Sequence, residues 1–310
     1  MRILLLGANG QVGRSLQRPL AGLGEVICAT RDGRLDGGGV ALAADLGDPA
    51  GLALALDAAA ATVIVNAAAY TAVDRAESEP DRADRINHRA VGEIGAWAAS
   101  HGAAVVHYST DYVFDGRGDR PYREDDPVAP LGAYGRSKQA GEQALQASGA
   151  EQLILRTAWV YAAHGHNFLR TMLRLAGERE ELRIVADQVG SPTPAGLIAG
   201  TTAALLARWR HLPAGERGAA QGVYHLTAAG ACSWFDFAQA IFERAHAAGL
   251  LPRRPRVVPI ASADYPTPAQ RPAWSVLDCE RLQTRFGLHL PAWEQGLREV
   301  VEALAAARSA

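Results

Sequence analysis

The stretch Arg2-Ile-Leu-Leu-Leu-Gly-Ala-Asn-Gly-Gln-Val-Gly13 sets an unbroken apolar run, Ile3 to Leu6, against glycines at 7, 10 and 13. A helix-like pattern begins around Val12. Strand, glycine turn and helix in that order form the context in which a glycine motif can cradle a dinucleotide. The glycines permit a tight turn and close approach of backbone to a pyrophosphate. The helix start offers unpaired N–H groups and the positive end of its dipole. Taken alone, the motif is equally compatible with a plain glycine-rich turn. The apolar run is cut at Gly7, too early for a secretory signal, and no small-residue cleavage site follows. It reads as a first strand.

Outward from this start the same alternation continues. Glu25–Ala29, Val63–Asn66, Ala103–His107 and Gln152–Arg156 read as strands, with helical patterns between them, including one over Pro80–Ser100. Such spacing predicts an α/β fold built on a doubly wound parallel sheet. Beyond residue 160 the regularity weakens. Helices are expected over 168–178, 195–209 and 233–248, short strands near 182–186 and 223–226, and two closing helices after a Pro/Arg-rich segment at 252–272.

Bulk properties narrow the function classes. A chain of 310 residues can bury a large core. Thirty-one basic against thirty-three acidic residues, well interleaved, give a net charge of -2, so neither nucleic acid nor an acidic membrane is an expected partner. No apolar run has membrane-spanning length. Cys28, Cys232 and Cys279 make neither a disulfide framework nor a zinc pattern. A reducing, cytoplasmic compartment is the expectation, with no metal.

The chemistry gathers in residues 108–138, YSTDYVFDGRGDRPYREDDPVAPLGAYGRSK. A buried strand ends in hydroxyls, Ser109, Thr110 and Tyr112 around Asp111, and after a polar loop Tyr134 opens a helix. Residues four apart share a helix face, so Tyr134 and Lys138 present a phenol and an ammonium to one site. A neighbouring cation favours the phenolate and lowers the phenol's pKa, which suits proton exchange with a substrate oxygen. Thr110 can hold the same oxygen. In an arbitrary helix the spacing more often marks an ordinary exposed pair.

Other positions point to a cofactor. Ala67, Ala68, Ala69 and Thr71 follow the third strand, where small residues let a ligand lie against backbone. After the second strand comes Thr30-Arg31, where an acid for a ribose hydroxyl is usual. Arg31 can receive a 2′-phosphate, favouring NADPH, while Asp32 leaves NADH open. Asp45-Leu46 suits an adenine amino group, or a helix cap. Asn87, inside the 80–100 helix, is a candidate for a structural hydrogen bond near the site.

GANGQVG, NAAAYTAVDRAE, YSTDYVFDG, YGRSK, RTAWVY, DQVGSPT and RPAWSVLD occur in this order. Together they resemble the dTDP-4-dehydrorhamnose reductase family, within the extended short-chain dehydrogenase/reductases, over essentially the whole chain. The resemblance implies a Rossmann domain, 1–165 with part of 194–228 returning to it. It also implies a smaller α/β lobe, 166–193 and 229–310, that binds a dTDP-sugar. The implied reaction is NAD(P)H-dependent reduction of the C4 ketone of dTDP-4-dehydro-6-deoxy-L-mannose. By position Tyr134 resembles the catalytic tyrosine, Lys138 its partner, which also holds the nicotinamide ribose, and Thr110 the third member. Gly7, Asn9, Gly10, Gln11, Val12 and Gly13 match the phosphate loop, Ala67 to Ala69 and Thr71 the cofactor wall. Asp111, Tyr112 and Trp159 match the sugar pocket, and Arg271 is a candidate for the diphosphate.

Two positions depart from the family. Some members carry a glutamate for a magnesium-bridged dimer where this chain has Ser15, which speaks against Mg2+ and leaves monomer or homodimer open. The usual RPxNSxLD has Trp274 in place of Asn. Two alternatives accompany the reductase: a binding module resembling the regulatory subunit of methionine adenosyltransferase, and a related epimerase or dehydratase. The complete Tyr134/Lys138/Thr110 set speaks against the first. Asp111, an acid beside the hydroxyl, keeps the second open.

Overall fold

The computed structural model describes residues 1–309. Its strands are β1 (Arg2–Leu6), β2 (Glu25–Thr30), β3 (Leu42–Ala43), β4 (Val63–Asn66), β5 (Ala104–Thr110), β6 (Glu151–Thr157) and β7 (Val160–Tyr161), then β8 (Glu181–Val185), β9 (Val189–Gly190), β10 (Thr193–Pro194), β11 (Gly222–His225), β12 (Cys232–Ser233) and β13 (Arg256–Ile260). The helices are α1 (Gln11–Ala21), α2 (Pro49–Ala59), α3 (Val73–Ala76), α4 (Pro80–Asp84), α5 (Ala90–His101), α6 (Ala133–Ala147), α7 (Phe168–Glu178), α8 (Ala195–Arg210), α9 (Ala214–Ala219), α10 (Trp234–Ala247), α11 (Glu280–Phe286) and α12 (Trp293–Ser309).

Seven strands form one parallel sheet in the order β11-β6-β5-β4-β1-β2-β3. A parallel sheet must be covered on both faces, so the middles of its strands are rich in apolar residues. β1 shows how. Leu4 and Leu6 pack with Leu52, Ile94 and Leu145 of α2, α5 and α6. Ile3 and Leu5 point the other way, toward Leu16 of α1, Ile198 and Trp209 of α8, and Leu282 and Phe286 of α11. Leu282 and Phe286, which the sequence reading put in the lobe, thus pack with the sheet. A separate core, with Leu169, Met172, Phe237, Ile241, Trp293 and Leu297, gathers α7, α10 and α12. No helix among the described residues is long and apolar enough to cross a membrane.

Two elements differ from the sequence reading. The Pro/Arg-rich segment contains β13, paired in parallel with β8, because Val257 and Val258 suit a strand and a two-stranded ribbon leaves an edge that tolerates Pro259. The helix expected over 80–100 is α4, a π-helical turn at Arg85–Arg89, and α5. Such turns insert one residue and are frequent at functional sites. This one carries Asn87.

Candidate active site

The glycine turn is built by backbone. Gly7 has φ +77, and the Gly10 N–H donates to Gly7 O at 2.9 Å. A Cβ at Gly13 would fall 2.1 Å from Gly7 O, and one at Gly7 2.7 Å from Ala68 N. α1 follows with no side-chain cap and no acid in its first turn. Its leading N–H groups meet no negative side chain, which is the donor set a pyrophosphate requires. These residues fit a dinucleotide.

The side chains expected to help there divide. The Asn9 amide clasps the following loop, donating to Arg34 O at 2.9 Å and accepting from Asp36 N–H at 3.1 Å. Gln11 ties the turn to the lobe, its Oε1 accepting from Asn167 Nδ2 at 2.8 Å. Val12 packs against the core, and Leu46 is itself a core side chain. Arg31 stands exposed at the end of β2, its Nε 4.0 Å from Asp45 Oδ1. Asp32 folds back on its own turn, accepting from the Arg34 N–H at 3.3 Å. Ser15 donates its hydroxyl to Gln11 O, one turn back.

Asn87 fixes the wall beside the turn. Its Oδ1 accepts from the Tyr70 N–H at 2.8 Å, and its Nδ2 donates to Tyr70 O and to Ser137 Oγ at 3.0 Å each. One amide therefore pins the Ala67–Thr71 loop to α6. Ala67, Ala68 and Ala69 are half-buried and Thr71 is exposed.

The second cluster stands at the carboxyl end of β5. Thr110 caps the short 3₁₀ turn Asp111–Val113, accepting from the Tyr112 N–H at 3.2 Å and donating to Asp111 Oδ1 at 2.9 Å. Asp111 is 2% exposed. Burial pushes its carboxyl up to about 6, against the Ser275 and Thr110 hydroxyls, which pull the other way. The Tyr112 and Tyr134 rings meet edge to face, centroids 5.6 Å apart. Burial raises the Tyr134 phenol to about 12, the Thr110 hydroxyl opposes this by hydrogen bonding, and the Asp111 charge adds to it.

Lys138 corrects the expectation that it lowers the tyrosine's pKa. Its Nζ donates to Tyr108 O at 2.6 Å and lies 3.2 Å from His107 Nε2, and its charge is not among the influences on the Tyr134 phenol. Burial lowers Lys138 to about 8, opposed by Glu142. A buried amine takes the nearest strong acceptor, and here that is a β5 carbonyl. Shared helical face did not imply shared contact.

Arg271 is half-buried. Its guanidinium binds Asp74 Oδ2 at 2.8 Å, across 197 residues, at the rim near Tyr112. Trp159 has φ +48 and stacks on Trp234 with centroids 3.4 Å apart. A tryptophan in the left-handed region is strained, and such strain collects at ligand sites. Trp274 closes over the 115–122 loop, its Nε1 donating to Arg120 O at 2.8 Å. Sequence reasoning missed Asn66, His107, Asp74 and Ser275. The signal for the first two was present: each is a polar residue directly following an apolar run of a buried strand, and they are register partners on β4 and β5.

An open glycine turn and a tyrosine–threonine pocket at the carboxyl edge of one parallel sheet define an oxidoreductase of the Rossmann class. A family model described as the RmlD substrate binding domain matches residues 1–306, and the chain belongs to that family. The dTDP-4-dehydrorhamnose reductase of Burkholderia thailandensis is 51% identical over 296 residues, covering 94% of this chain and 95% of that protein. Among solved structures, a dTDP-4-dehydrorhamnose reductase from Clostridium acetobutylicum matches with a TM-score of 0.86 at 35% identity, covering 98% of this chain and 99% of that one. Another, from Bacillus anthracis in complex with NADP, gives 0.83 at 33% identity, covering 96% and 98%.

Proposed function

We infer that this chain is a dTDP-4-dehydrorhamnose reductase, reducing the C4 ketone of dTDP-4-dehydro-6-deoxy-L-mannose to the alcohol of dTDP-L-rhamnose. The observation that carries this is the meeting of Tyr134 and Thr110 at the carboxyl end of β5, with Lys138 one turn along α6 held on the Tyr108 carbonyl, within a chain 51% identical to a reductase over nearly its full length. A bound nicotinamide supplies the hydride to C4. Tyr134 gives its phenolic proton to the carbonyl oxygen, and Thr110 orients that oxygen. The uncapped start of α1 holds the pyrophosphate, and Ala67 to Ala69 leave room for the cofactor beside the sheet. Trp159 and Tyr112 wall the sugar, and Arg271 stands at the rim for the diphosphate. The exposed Arg31 favours NADPH, with NADH also accepted. Magnesium has no assigned role in this reading, and a monomer or homodimer suffices.

The pocket also bears on the alternatives. A binding module would not need a tyrosine and a threonine held together at the end of a buried strand, so the enzyme is the better reading. Asp111 accepts from the Thr110 hydroxyl at Oδ1, while its Oδ2 is buried without a hydrogen-bond partner among the described residues. What favours the reductase over a dehydratase is therefore the 51% identity to a reductase rather than this carboxyl. The test uses purified protein with dTDP-4-dehydro-6-deoxy-L-mannose and each nicotinamide cofactor, following loss of reduced cofactor and formation of the rhamnose nucleotide. Absence of turnover with both cofactors would overturn the reading.

A further inference from the structure

We propose that Glu77 is a positioning residue for Tyr134: it caps α6 from another element and so sets where the phenol stands. The proposal rests on the reductase reading for its purpose, but the cap itself can be tested without any reaction.

α6 brings no cap of its own. Its N-cap position is Gly132, in extended backbone, and its first turn carries no acid. Ala133 is the first helical residue and Tyr134 the second. A capping oxygen normally belongs to the N-cap residue itself, a Ser, Thr, Asp or Asn. Here it comes from 56 residues away: Glu77 Oε1 accepts from the Ala133 N–H at 2.7 Å. The glycine and the glutamate are fitted to each other. A Cβ at Gly132 would lie 2.5 Å from Glu77 Oε1, so a side chain at the N-cap would push the carboxylate away.

A cap is only as fixed as the element that carries it. Glu77 closes α3, a helix of four residues, and α3 is held on two sides. Ala76 is 0% exposed and shares a core cluster with Ala133. Asp74 accepts from the Ala269 N–H at 3.2 Å and from Arg271 at 2.8 Å. The stretch Val73-Asp-Arg-Ala-Glu77 thus ties the Arg271 rim and the start of the tyrosine's helix to one short element.

Glu77 works through the backbone rather than through its charge. The influences on the Tyr134 phenol are burial, Thr110 and Asp111, and Glu77 is not among them. Glu77 is also exposed, so water and salt screen its charge, and what remains is the acceptor atom. Losing that atom loosens the first turn of α6, where Tyr134 sits. A displacement of about 1 Å at a reacting group can cost about a hundredfold in rate.

The experiment compares wild type with Glu77→Gln, Glu77→Ala and the double variant Glu77→Ala/Gly132→Ser. Amide hydrogen exchange over residues 132–137 of the full chain reads the cap, and kcat, KM and the pH profile of kcat read the positioning. Glu77→Ala should speed exchange in that first turn about tenfold. It should lower kcat about tenfold, with KM and the pH midpoint unchanged. Glu77→Gln keeps an acceptor and should stay within about threefold of wild type in both readouts. The double variant separates a lost cap from general damage. Gly132 has φ -126 and ψ 174, extended backbone of the kind an N-cap serine adopts, so the serine hydroxyl should restore both exchange and kcat to within about threefold of wild type. A serine that restores neither, a glutamine as impaired as alanine, or a shifted pH midpoint would each overturn the proposal. So would an unchanged kcat in Glu77→Ala beside faster exchange. An inactive wild type showing the expected exchange pattern would sink the reductase reading and support the cap.

Discussion

The two halves of the sheet edge are built by opposite means. On the β1 side, the cofactor turn is shaped by atoms that are absent: a Cβ at Gly13 would meet Gly7 O at 2.1 Å, and α1 begins without a capping side chain. On the β5 side, the reaction pocket is shaped by side chains held away from water, with Thr110, Asp111 and Lys138 all at most 5% exposed. The first half binds through backbone and solvent-facing charge, where single side chains matter little. The second concentrates buried polar groups, whose removal or neutralisation is felt strongly. A ligand common to many proteins can be met by backbone, whereas a particular proton transfer needs particular side chains.

The largest test of this contrast is Tyr134→Phe. The ring and its edge contact with Tyr112 survive, but the donor atom is lost. General acid catalysis contributes about 10²–10⁴-fold, so kcat should fall within that range while titrated cofactor affinity stays unchanged. Turnover near the wild-type value would remove this residue from the reaction and with it the claim that the β5 side holds the chemistry.

Asp111→Asn examines the same half through stability. Burial raises the folded-state pKa of Asp111 from 3.8 to about 6. Between those values the folded protein binds more protons than the unfolded chain, so stability is highest below 3.8 and falls as pH rises toward 6. The asparagine keeps Oδ1 for Thr110 and removes the charge. It should be more stable than wild type at pH 7.5, by at most about 3 kcal/mol, with the difference closing below pH 4. Urea denaturation at both pH values reads this. A wild type more stable than the variant at pH 7.5 would mean the carboxylate is well solvated by its partners.

How much of this was legible follows the same division. The glycine turn, the strand order's parallel character and the Tyr134–Thr110 neighbourhood were readable because they depend on local pattern: apolar runs of strand length, glycine spacing, and a hydroxyl at a strand end. Lys138 was misplaced because i,i+4 spacing fixes a face but not the acceptor beneath it, and the Tyr108 carbonyl lies on another element. Asn9 matched a phosphate-loop position, yet its amide is taken up by Arg34 and Asp36, a pairing no local pattern announces. The Arg271–Asp74 pair joins residues 197 apart. Such contacts are set by the packing of the lobe on the sheet, which periodicity does not encode.

The smallest expected effect lies on the cofactor side, at Arg31. Its side chain is 71% exposed and its only ionic neighbour among the described residues is Asp45, at a loose 4.0 Å. An exposed pair at that distance contributes little to stability, so Arg31→Ala should leave the thermal midpoint unchanged. The guanidinium is nevertheless positioned just after β2, where the ribose of a bound dinucleotide would lie. A charge-assisted hydrogen bond to a 2′-phosphate is worth about 1.5–3 kcal/mol, and solvent exposure puts this one at the lower end. NADPH affinity should therefore weaken about tenfold. NADH carries no such phosphate and its affinity should hold. Fluorescence titration of both cofactors against wild type and variant measures the two effects together. Equal losses would mean that Arg31 supports the turn rather than reading the phosphate. A loss exceeding that of Tyr134→Phe in turnover would reverse the contrast between the halves.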